Sequence, residues 1–103
     1  MGYDLHLTRA SDWGDSDEAP ISLDDWLAFA RSSSALTETM EISTGDGIPV
    51  FLLGSNPRVD PALYWSRGRV TVRGAHDAHV QALVAVASNL GVRLLGDDDE
   101  LYE

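Results

Sequence analysis

Residues 63–96 read LYWSRGRVTVRGAHDAHVQALVAVASNLGVRLLG, and within them the apolar spacing changes twice. Val70 and Val72 alternate with Arg69, Thr71 and Arg73, the repeat of two that turns one face of a strand toward a core. Arg67-Gly68 is the turn between this strand and a short one before it. Val80, Leu83, Val84, Ala87 and Leu90 then recur at helical spacing, and Gly91 can take the left-handed conformation that closes a helix. VRLLG returns to strand composition, with Asp97–Asp99 as the following turn and Leu101 and Tyr102 packing beyond it. Two strands, a helix and a last strand are therefore expected here.

Working outward, YDLHLTRA (3–10) sets Tyr3, Leu5 and Leu7 against Asp4, His6 and Thr8, which predicts a first strand. Ser11–Pro20 loses that alternation and collects Gly, Pro and acids, so it reads as an exposed loop with Trp13 as its one apolar anchor. ISLDDWLAFARSS (21–33) predicts a helix with Ser22 as N-cap and Asp24 and Asp25 at the positive end of the dipole. Its buried stripe is Leu23, Trp26, Leu27 and Ala30, with Phe29 to the side. SSSALTET (32–39) reads as the helix end and a turn. TMEIS (39–43) and IPVFLLG (48–54) read as strands around TGDG, with Pro49 suited to an edge or a strand start. SNPRVDPA is a further loop.

The expected fold is α+β: a mainly antiparallel β-sheet with two α-helices packed on one face, a variation on the split βαβ plan. The 103 residues, 44% of them hydrophobic, suit one domain spanning 1–103, with an acidic loop at 11–20 and an acidic turn at 97–100.

Seventeen acidic residues against seven basic ones, all arginine, give a formal net charge of -10. Nucleic acid is an unsuitable direct ligand for such a chain, because phosphate binding needs clustered cations. A basic protein is the natural partner, although acidity also serves solubility alone. With no cysteine, disulfides, thiolate zinc and a cysteine nucleophile are excluded. Asp4 stands where a secretory signal carries basic residues, and no apolar run approaches a membrane span, so a cytoplasmic protein is expected.

No arrangement of residues specifies a reaction, and no enzyme and no cofactor are expected. Neighbouring acids at Asp97–Glu100 point apart in any turn and lack the set separation of a catalytic carboxylate pair. GDDDELYE and DWGDSDEAP both fail the calcium-loop pattern. His76 and His79 lie three apart on the last helix without an evident third ligand. Asp4 and His6 share a strand face and can pair, but no nucleophile completes a triad. Neither a P-loop nor a dinucleotide fingerprint occurs. What is left is a binding surface. An aromatic ringed by carboxylates can anchor a basic partner, and two patches fit: Trp13 with Asp12, Asp15, Asp17 and Glu18, and Tyr102 with Asp97, Asp98, Asp99 and Glu100.

Three stretches, YDLHLTRASDW, ISLDDWL and GVRLLGDDDELYE, resemble those of small, acidic, single-domain bacterial proteins that look like immunity proteins of polymorphic toxin systems. The likeness covers both ends and the first helix, not residues 34–75. It implies a cytoplasmic inhibitor that binds and occludes one toxin domain, and the charge balance separately favours a basic partner. The alternative is a self-associating structural or regulatory module using the IPVFLLG strand as an open edge. The inhibitor reading fixes no oligomeric state, whereas the alternative implies a self-associated one.

Overall fold

The computed structural model describes residues 4–40 and 45–103; Tyr3 and the Glu41–Thr44 part of the expected hairpin lie outside the described residues. In chain order the elements are β1 (Leu5–Thr8), α1 (Leu23–Ser32), β2 (Leu36–Thr39), β3 (Val50–Leu53), β4 (Ala62–Ser66), β5 (Arg69–Arg73), α2 (Asp77–Leu90), β6 (Arg93–Gly96) and β7 (Leu101–Tyr102). The strands form one sheet in the order β2-β3-β4-β5-β1-β6-β7, with every neighbouring pair antiparallel. This is an α+β fold, mainly sheet. Because β5 and β6 both run antiparallel to β1 between them, they are parallel to each other, and α2 joins them as a split βαβ unit.

The local chemistry explains the boundaries. The Ser22 hydroxyl accepts the Asp25 N–H at 3.0 Å and starts α1. At the end of α2, Gly91 adopts φ 80° and its N–H reaches the carbonyls of Ala87 and Ser88. Arg67 (φ 53°) and Gly68 (φ 82°) make the β4–β5 turn with positive φ at both central positions, the geometry whose twist matches a hairpin.

One face of the sheet packs on both helices. Leu5, Leu7, Phe51, Leu63, Val70, Val72 and Leu94 meet Trp26 and Ala30 of α1 and Leu83, Val86 and Ala87 of α2 in a single buried cluster. Leu23, Leu27 and Phe29 pack against it from part-buried positions.

Four sequence expectations change. Leu36–Thr39, read as turn, is strand β2. It sits at an edge and buries only Leu36, so no alternation announced it. The IPVFLLG strand is not an open edge, because β3 lies between β2 and β4; the edges are β2 and β7. Pro49 sits where a missing N–H is tolerated, directly before β3. VRLLG is not the last strand, since Leu101–Tyr102 turn back and pair with Leu95 and Leu94. Finally, all four residues of β1 are buried, His6 and Thr8 included, so something covers the face that the pattern assigned to water.

Candidate functional site

That cover is the loop after β1. Asp12 caps a single 3-10 turn at Trp13–Asp15 by accepting the Gly14 N–H at 2.8 Å. The turn carries Ser16 under the sheet, where its hydroxyl donates to the Trp13 carbonyl at 2.6 Å and meets the Thr8 hydroxyl at 2.7 Å. Thr8 in turn accepts the Ala10 N–H at 3.1 Å. Each buried hydroxyl is thereby partnered, as burial demands.

Folding the loop back in this way lays Trp13 on His6. The two rings stack at 11° with centroids 4.2 Å apart, and the Arg69 guanidinium stands over the indole at 4.9 Å. Trp13 also reaches the C-terminal turn. Its backbone N–H donates to Asp99 Oδ1 and its indole N–H to the Asp97 carbonyl, each at 2.9 Å. Trp13 is therefore half-buried, not the exposed anchor expected from its acidic neighbours.

Asp97 is turned inward as well. Its Oδ1 lies 2.8 Å from His6 Nε2, and its Oδ2 accepts the Asp4 N–H at 3.0 Å. The expected Asp4–His6 pairing is replaced: His6 pairs with Asp97, and the Asp4 carboxylate lies 3.7 Å from Arg73 Nε. Burial pushes the Asp97 carboxyl upward, but the His6 and Asp4 hydrogen bonds and the His6 charge outweigh it and hold it below its ordinary value of 3.8. A carboxyl that titrates lower folded than unfolded stabilises the protein above its unfolded value and loses that contribution as pH falls through its folded value. The stability difference between wild type and Asp97→Asn should accordingly narrow as pH drops below about 4. Urea titrations across that range measure it, and a difference that does not narrow would remove Asp97 from the ionised pair.

The two acidic patches read separately from the sequence are thus neighbours, joined through Trp13. Their acids divide by duty. Asp12, Asp97, Asp99 and Glu100 accept backbone or ring hydrogen bonds that shape the loop and the turn. Asp15, Asp17, Glu18 and Asp98 are exposed, and their side chains make no hydrogen bond or ion pair among the described residues. Tyr102 is half-buried; burial, then the charges of Glu100 and Asp77, push its phenol above the usual 10.0.

No family model, curated protein or solved structure matches the chain. The site is therefore read from its own chemistry. His79 Nδ1 accepts the His76 N–H at 2.9 Å, which occupies one of the two histidines with closing the start of α2. Among the described residues no group of three His, Asp or Glu side chains is placed to hold a metal ion, and no helix is long and apolar enough to cross a membrane. Sequence reasoning missed Ser16 and Arg69 as members of the site, and it singled out His6 but with Asp4 as its partner in place of Asp97.

Proposed function

We propose that this chain is a non-enzymatic immunity-type protein, a bacterial cytoplasmic inhibitor that binds and occludes a basic toxin domain. The observation that carries this reading is the union of the 11–20 loop and the 97–100 turn into one acidic face through the Trp13 hydrogen bonds. Loop and turn are fixed by their own hydrogen bonds, so the free carboxylates of Asp15, Asp17, Glu18 and Asp98 are presented with little ordering left to do on binding. A toxin acting on nucleic acid needs a basic cleft for phosphates. Carboxylates held on a rigid acidic surface can take the places of those phosphates and close the cleft.

Charge of this kind acts mainly on the rate of encounter. Tagged protein expressed in its native host should recover a basic partner. The quadruple variant Asp15→Asn/Asp17→Asn/Glu18→Gln/Asp98→Asn should associate with it about tenfold more slowly at low salt. Its association should also depend less on ionic strength, since exposed charges are screened beyond about 8–10 Å. An association rate equal to wild type at both low and high salt would end this assignment of the acidic face.

A further inference from the structure

The sheet face away from the helices is only half covered by the 9–20 loop. Its other half, over β3, β4 and β5, buries Val50 and Leu52 and leaves Ala62 and Tyr64 as an apolar floor. Here the loops before β4 and after β5 border an open groove of about 590 Å³ lined by Arg58, Asp60, Ala62, Tyr64, Arg73 and His76. In a chain with 17 acids and seven arginines, two arginines line this groove.

Both arginines keep hydrogen-bond donors open there. The Arg58 side chain makes no ion pair among the described residues. Arg73 is 67% exposed, and its ion pair with the Asp4 carboxylate, at 3.7 Å, is too long to occupy a hydrogen-bond donor of its fork. The Asp60 carboxylate also lines the groove, with its Oδ2 held in the loop by the N–H groups of Ser55 and Asn56 at 2.9 and 2.8 Å. Arg73 stands 5.5 Å from the Tyr64 ring centroid, which holds its fork above the floor. The exposed His76 ring and the positive end of the α2 dipole border the same space.

We infer that this groove is a binding site for a small oxyanion ligand, a carboxylate or phosphate compound gripped by Arg58 and Arg73 with Tyr64 beneath it. Guanidinium forks match both anions in two parallel hydrogen bonds, and the Tyr64 and His76 side chains can add donors. The site lies over β4 and β5, beside the acidic surface on β1 and β6, and its occupancy does not depend on the inhibitor reading.

Backbone NMR titrations with inorganic phosphate and with succinate, at ionic strength held constant with sodium chloride, test the inference. Saturable shifts should appear at residues 58–60 and 73–77. Arg58→Gln and Arg73→Gln should each weaken binding about tenfold, while Arg31→Gln on α1 should leave it unchanged. Stronger binding of phosphate assigns a phosphate ligand, and stronger binding of succinate a carboxylate one. The inference is overturned if neither probe gives saturable shifts in the folded protein, or if the shifts persist undiminished in both groove variants.

Discussion

Gly68→Val should cost about 2–5 kcal/mol of folding stability, against about 1–2 kcal/mol for Gly91→Val. The two glycines have nearly equal φ, 82° and 80°, so a β-branched residue meets the same backbone strain at each. Their surroundings differ. A Cβ at Gly91 meets nothing within 4 Å, whereas one at Gly68 would stand 2.6 Å from Pro20 Cβ and 2.8 Å from the Ser16 carbonyl oxygen. The collision is with backbone that has nowhere to go, because the Ile21 N–H donates to the Gly68 carbonyl and the Trp65 indole N–H to the Ile21 carbonyl, both at 2.8 Å. Paired urea titrations of the two variants give the difference directly. Equal losses would mean that the acidic loop does not rest on the β4–β5 turn.

Trp13→Ala is expected to remove about 2–4 kcal/mol, below the loss for a fully enclosed tryptophan because the side chain is half-buried. The substitution deletes the stack on His6, the Arg69 contact and the indole hydrogen bond to Asp97. Trp13→Phe keeps an aromatic face for His6 and loses the N–H, so it should cost about 1 kcal/mol. The order Ala worse than Phe worse than wild type, read from denaturant midpoints, is the signature of stacking with a smaller hydrogen-bond contribution. Equal losses in Ala and Phe would place the whole effect in the N–H donor. A full loss in both stability and partner association for Ala alone would tie the shape of the acidic face to this one ring.

Most of the fold was legible because most elements have a strong period. β1, α1, β5 and α2 each repeat apolar residues often enough to declare their type, β4 and β6 are marked by strand composition beside a turn, and Gly91 declares its cap. β2 and β7 were not legible for the same physical reason. An edge strand such as Leu36–Thr39 turns Thr37 and Glu38 to water, and a two-residue strand is too short to have a period at all. The site was half legible. The acids were evident from composition, and the role of the 97–99 segment as a turn followed from its position. Their joining was not, because Trp13 meets Asp97 and Asp99 across 84 and 86 residues of chain, a distance over which no local pattern operates. The alternation in β1 was even misleading: His6 and Thr8 occupy its polar positions, yet both are buried through contacts that the loop brings.

The place of β1 also governs the order in which the sheet can assemble. Leu5 pairs with Val72 on one side and Gly96 on the other, so neither neighbour of this central strand exists when β1 leaves the ribosome. The β2-β3-β4-β5 meander pairs strands that are close in the chain and can form early, at small loop-closure cost. Closing β1 between β5 and β6 requires contacts of long sequence separation, which slows folding. During synthesis the apolar residues Leu5 and Leu7 therefore wait without a sheet to join, and the acids that follow them in the 11–20 loop keep that waiting segment charged and solvated.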